Sequence, residues 1–154
     1  MSGSNKVFNI SLGKVKYYAE LVGTGNAAFV VVLLKLTGLE ADATLLDHDN
    51  LSVLLAAAND EADFTNYARK IVTAATISNP DDESLEIGMA DQVYTNAGGA
   101  TNNTIGKALL CFDADTTTGA DTAIVPLLAF NVAFTTVGDT INLRATNGLL
   151  QVTS

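Results

Sequence analysis

The chain's one histidine, His48, stands between acids in Leu46-Asp47-His48-Asp49. A histidine beside a carboxylate is part of a hydrolytic triad, since the acid orients the ring that takes the proton. The nucleophile is missing, because no Gly-x-Ser-x-Gly elbow occurs anywhere in the sequence. Neighbours along a chain also point apart in most backbones, so His48 reads as a turn residue leading into a helix cap. The segment Asp113-Ala-Asp115-Thr-Thr117-Thr-Gly119-Ala-Asp121 places oxygen donors at alternate positions, as a calcium loop does. Thr118 stands where such a loop needs glycine, and no glutamate closes it. No metal site is therefore expected, and Asp113, Asp115 and Asp121 are the nearest thing to one.

Nucleotide chemistry fares no better. Gly23-Thr-Gly25 lacks the third glycine and following helix of a dinucleotide site, and Gly98-Gly99 has no lysine at P-loop spacing. The acids Asp81-Asp82-Glu83 follow Asn79-Pro80 and read as a solvated turn. Cys111 is the only cysteine, so an internal disulfide and a cysteine zinc site are both excluded. It lies in the apolar run Ala108 to Phe112, where a buried, inert thiol is expected. These residues point to no catalysis and no cofactor.

Charge narrows the partners. Seventeen acids against eight bases leave −9, with no cluster of Lys and Arg to meet phosphate, so nucleic acid is not expected. Residues 1–39 carry Lys6, Lys14, Lys16 and Lys35 against Glu20 alone. Residues 40–91 carry twelve acids against Arg69 and Lys70. A basic leading segment and an acidic middle could attract each other between subunits. Only 16% of residues are charged while 48% are hydrophobic, which predicts a neutral-polar surface suited to protein contact. The longest apolar run, Phe29 to Leu34, is too short to cross a bilayer, and no secretory signal is visible, so a soluble protein made in a cytoplasm is expected.

These groups need elements to position them, and the pattern is one of short strands. Residues 1–12 read as an N-terminal arm and 13–154 as a single β domain. From Gly13 the residues alternate, with Val15, Tyr17, Ala19 and Leu21 on one face and Lys14, Lys16, Tyr18 and Glu20 on the other, which predicts a half-buried strand. Gly23 to Asn26 reads as a turn, and Phe29 to Leu36 as a central strand, apolar on both faces. One short helix is predicted over about 50–58, capped by Asp49, ended by Asn59-Asp60, and facing the core with Leu51, Leu54 and Leu55.

Further strands are predicted over 68–77, 85–89, 92–95, 105–112, 123–130, 132–136, 140–145 and 149–152. Turns at 79–82, 96–103, 113–121, 137–139 and 147–148 separate them. The expected fold is all-β: an antiparallel β-sandwich or jelly-roll-like domain with one short α-helix and an extended N-terminal arm. Within the arm, Val7, Phe8 and Ile10 are too apolar to be left in water. With Lys14, Lys16 and Tyr18 they form the expected interface, Phe8 serving as the anchor of a strand added to a neighbour's sheet.

Two stretches carry a resemblance. The first runs from Phe29-Val-Val-Val-Leu-Leu-Lys-Leu-Thr-Gly through Leu51 to Ala57 and on to Phe64-Thr-Asn-Tyr67-Ala-Arg69-Lys70. The second is Ile105-Gly-Lys-Ala-Leu-Leu-Cys-Phe-Asp113-Ala-Asp115-Thr-Thr-Thr-Gly119, followed by Ile124-Val-Pro126-Leu and Gly138-Asp139-Thr-Ile-Asn-Leu. Over residues 13–145 this order resembles small virion structural proteins of tailed bacteriophages, above all capsid decoration (cement) proteins. The resemblance implies a non-enzymatic protein on the outer capsid surface, made in the host bacterial cytoplasm, that stabilises the head by protein–protein contacts. Its implied partners are the major capsid protein and copies of itself, as a homo-oligomer with a trimer among the options, and neither nucleic acid nor a membrane. A tail, neck or fibre component, or a β-sandwich carbohydrate- or receptor-binding module, is the alternative. The absence of Trp weighs against a sugar site, which leans on stacking rings.

Overall fold

A computed structural model describes residues 6–78, 86–146 and 149–153 of the chain. The strands are β1 (Lys6–Val7), β2 (Ala28–Lys35), β3 (Lys70–Val72), β4 (Thr76–Ser78), β5 (Glu86–Gly88), β6 (Gln92–Ala97), β7 (Thr104–Asp113), β8 (Val125–Thr135), β9 (Asp139–Thr146) and β10 (Leu149–Thr153). The helices are α1 (Val15–Leu21), α2 (Asp42–Leu45) and α3 (Leu51–Ala56), with 3-10 turns at Asn9–Ser11 and Asp121–Ala123. Every strand pairing is antiparallel. A five-stranded sheet has the order β1-β8-β7-β2-β3, a three-stranded sheet the order β10-β9-β6, and β4 pairs with β5. The fold is all-β with few, short helices.

The larger sheet is covered on both faces, and this explains why its central strands are apolar throughout. On β2, Phe29, Val31 and Leu33 join Leu110 and Phe112 of β7 in one core, which Tyr94, Ile141 and Leu143 of the smaller sheet close from the other side. The intervening residues Val30, Val32 and Leu34 join Leu109, Cys111 and Ala129 in a second core. That core is closed by Phe8, by Leu45 of α2 and by Leu51 and Leu54 of α3. Period-two alternation thus feeds two separate cores, one between sheets and one between sheet and helices.

The short helix lies where expected, with Leu51 and Leu54 fully buried and Leu55 packed at the edge of the second core. Its cap is Asn50 instead of Asp49: the Asn50 Oδ1 accepts from Val53 N–H at 3.0 Å. At the other end Asn59 is buried and donates to the Leu54 carbonyl at 3.2 Å. Three expectations are corrected. Residues 15–21 form a helix, not a strand. The predicted strand 68–77 is two strands, β3 and β4. The predicted strands 123–130 and 132–136 are one, because Asn131 continues β8 as the partner of Lys107. The turns at 79–82 and 147–148, the acids Asp81-Asp82-Glu83 and the first five residues of the arm lie outside the described residues.

The α1 correction has a simple cause. Val15, Tyr18, Ala19 and Val22 are spaced i, i+3, i+4 and i+7, so a helix also collects an apolar face from these residues. In so short a window both periods fit. The helix turns Tyr18 onto Phe112, with ring centroids 4.9 Å apart, and turns Tyr17 out to solvent.

Candidate interaction surface

The six residues expected to form an interface divide. Val7 and Phe8 fold back on the chain's own sheet: Lys6 and Val7 pair with Ala129 and Leu128, and Phe8 N–H donates to the Leu127 carbonyl at 3.0 Å. Phe8 is 0% exposed and plugs the second core, with Ile10 packed beside it. Phe8 as the anchor on a neighbour is therefore corrected, since its apolar ring is already satisfied within the chain. Ser11 Oγ donates to the Pro126 carbonyl at 2.7 Å, and Asn9 donates to Asp47 at 3.0 Å, so residues 6–11 are tied down on both sides. Lys14 and Lys16 remain exposed, Lys16 lying 3.7 Å from Glu20 one turn on. Tyr18 is half-buried, and its neighbour Tyr17 is the exposed ring at 58%.

The three acids of the calcium-like loop do not converge. The Asp113 carboxylate accepts from Asp115 N–H at 3.0 Å, and Asp115 accepts from the backbone and hydroxyl of Thr117. Those bonds hold the Asp115 carboxyl below its ordinary range. Asp121 turns away to Arg69, whose Nη1 and Nη2 donate to its two oxygens at 2.5 and 3.0 Å. A carboxylate already neutralised by a guanidinium is a poor cation ligand, and no group of three metal-ligating side chains occurs among the described residues.

Three polar clusters were not legible in the sequence, because each joins residues that only folding brings together. Arg69 bridges Asp121 and Glu61, donating to both Glu61 oxygens at 2.8 and 2.7 Å. The Tyr67 hydroxyl donates to Glu61 at 2.9 Å and accepts from Leu33 N–H at 3.1 Å. Burial pushes the Tyr67 and Tyr94 phenols well up, and the Tyr94 hydroxyl is buried without a hydrogen-bond partner among the described residues. His48 meets Glu40 at 2.7 Å, and Asn59 donates to the same Glu40 oxygen at 2.6 Å. Those bonds hold the Glu40 carboxyl low, His48 first and Asn59 second. The ring thus bonds a carboxylate that an amide also holds, and among the described residues no hydroxyl or thiol bonds it.

The third cluster surrounds Lys107, a charged residue inside strand β7 and only 5% exposed. Its Nζ donates to Asn131 Oδ1 on the adjacent strand at 2.5 Å and lies 2.6 Å from Asp42 Oδ1 of α2. Lys6 of β1 lies 2.7 Å from the other Asp42 oxygen. Lys107 and Lys6 together hold the Asp42 carboxyl below its usual range. The one sequence signal was the lysine itself, lone among apolar neighbours, where an unpaired charge would be costly.

What faces solvent is apolar in scattered places. Leu12 is 61% exposed, and Leu36 and Val137 are also turned out. The larger sheet ends at β3 and the smaller at β6, carrying Ile71 (49% exposed) and Val93 (41%). The outer edges of these strands offer backbone donors and acceptors that no described strand takes up. No family model, curated protein or solved structure matches this chain.

Proposed function

We propose that the chain is a non-enzymatic structural protein of a tailed-phage virion, most concretely a capsid decoration (cement) protein. It binds the outer capsid surface and copies of itself, and holds the head together by burying neutral surface. The observation that carries this reading is the combination of exposed aliphatic side chains with two sheet edges, β3 and β6, that no described strand covers. Backbone edges and scattered apolar side chains suit extended contact with another protein. The strongest ionic groups, Arg69, Lys107 and Asp42, are spent inside the chain. The resemblance of residues 13–145 to decoration proteins supplies the particle. A sugar-binding module is less favoured, because Tyr17 is the one exposed aromatic ring among the described residues.

Specific contacts bury about 1,200–2,000 Å² in total, and repetition over a symmetric lattice multiplies weak ones. Particles assembled without the protein are expected to rupture at lower temperature and under milder osmotic shock than complete ones. Adding purified protein back restores them. Equal resistance with and without the protein would remove the cement role and favour a place in the tail or at the receptor.

A further inference from the structure

Lys107 and Asn131 are direct cross-strand partners on β7 and β8. They continue the sheet face that carries Leu109 and Ala129 of the second core. Leu34, the partner of Lys107 on its other side, is fully buried, as is Leu109 two residues on. A lysine amine, flanked by buried leucines, is thus held against an asparagine side-chain amide at 2.5 Å and a carboxylate at 2.6 Å. The Asp42 carboxylate, bonded to the same nitrogen, is placed to take its proton, which leaves the amine free as a nucleophile. Proximity supplies the rest, because nucleophile and amide cannot diffuse apart.

We propose that Lys107 and Asn131 join in an intramolecular isopeptide bond, with Asp42 as the proton-transfer group. Asp42 accepts one proton from the Lys107 ammonium, and the freed amine attacks Cγ of Asn131. The Nζ–Cγ bond forms and the Cγ–Nδ2 bond breaks. The proton held on Asp42 and the surplus proton on Nζ pass to the departing nitrogen, which leaves as ammonium. The charge of the lysine departs with it, nothing is oxidised or reduced, and Asp42 ends as a carboxylate. Asn131 is exposed, so the ammonia has a way out. Lys6, 2.7 Å from Asp42, then remains to neutralise the carboxylate once Lys107 has become an amide. The bond goes beyond the virion role and does not depend on it. It would fasten β8 to β7 covalently in the middle of the larger sheet.

Intact mass spectrometry of the purified full-length protein under denaturing conditions tests the bond. The main species is expected to be lighter than the sequence mass by one ammonia. A protease digest should contain a branched peptide linking the segments around Lys107 and Asn131. Lys107→Arg and Asn131→Ala should each return to the full expected mass. A wild-type protein at full mass overturns the proposal, whatever the variants do. Cyclisation of another asparagine loses the same ammonia, so a Lys107→Arg protein that is also light overturns it too. Asp42→Asn is expected to fold with a wild-type circular dichroism spectrum and to stay largely unlinked. Linkage in that variant at the wild-type rate would remove Asp42 from the reaction.

Discussion

At the scale of residues, the polar side chains inside this protein are mostly satisfied, and the exception is informative. Tyr94 stacks on Tyr67 with ring centroids 6.0 Å apart and lies under Lys70 Nζ at 4.7 Å, yet its hydroxyl has no partner among the described residues. A buried unsatisfied polar group costs about 1–3 kcal/mol, while the ring's burial and its contacts with Tyr67 and Lys70 survive in phenylalanine. Tyr94→Phe is therefore expected to raise stability by about 1 kcal/mol in urea unfolding, and a loss of that size would mean the hydroxyl is bonded after all. Asp121 gives a pH dependence. Arg69 holds its carboxyl below the ordinary value of 3.8, so the folded state binds its proton less readily than the unfolded chain does. The stabilisation is fully present above that value and is lost as pH falls through the lower folded value. Thermal unfolding midpoints should then decline in acid below about pH 4, and Asp121→Asn should flatten that decline while lowering stability at pH 7.

At the scale of elements, α1 shows how a seven-residue segment chooses its period. As a strand it would bury Tyr17 and expose Tyr18; as a helix it does the reverse. Truncation reads out the choice. Tyr18→Ala removes the ring that meets Phe112 and should cost about 2–4 kcal/mol, below the range for a fully buried aromatic because Tyr18 is only half-buried. Tyr17→Ala, on the exposed side, should change stability by less than about 0.5 kcal/mol. Equal effects from the two variants, or a reversed order, would restore the strand. The same measurement bears on α3, where Leu54→Ala should cost about 2–5 kcal/mol because Leu54 is fully enclosed by the second core.

At the scale of the whole molecule, residues 6–8 are part of the fold they were expected to leave. Lys6–Val7 adds a fifth strand to the larger sheet, and Phe8 closes the core behind it. Phe8→Ala is expected to destabilise the isolated protein by about 3–5 kcal/mol, a loss visible without any capsid present. If it instead leaves unfolding unchanged and only weakens attachment to particles, the segment works between subunits. The edges at β3 and β6 and the exposed aliphatic residues then remain the surface on which the proposed attachment would depend. A charge placed at Ile71 should weaken binding to particles while leaving unfolding within about 0.5 kcal/mol of wild type, since that side chain is half exposed.

Much of the architecture was legible in the order of residues. The strand at Phe29–Leu36, the Leu-rich helix, the apolar run ending at Asp113 and the hairpin partners near 140 and 149 all declare themselves by period and punctuation, within one or two residues. These are local properties, because the spacing of apolar side chains and the turn residues between them act over a few positions. What tertiary structure decided is of another kind. Which of two periods residues 15–21 adopt depends on Phe112 waiting to receive Tyr18. Whether Phe8 is an anchor or a plug depends on a cavity built from β2, β7, β8 and α3. The meeting of Arg69 with Glu61 and Asp121, and of Lys107 with Asn131 and Asp42, joins segments up to 65 positions apart. No spacing rule reaches that far. The sequence supplies the charges, and only the folded sheet brings them within bonding distance, where burial makes their pairing obligatory.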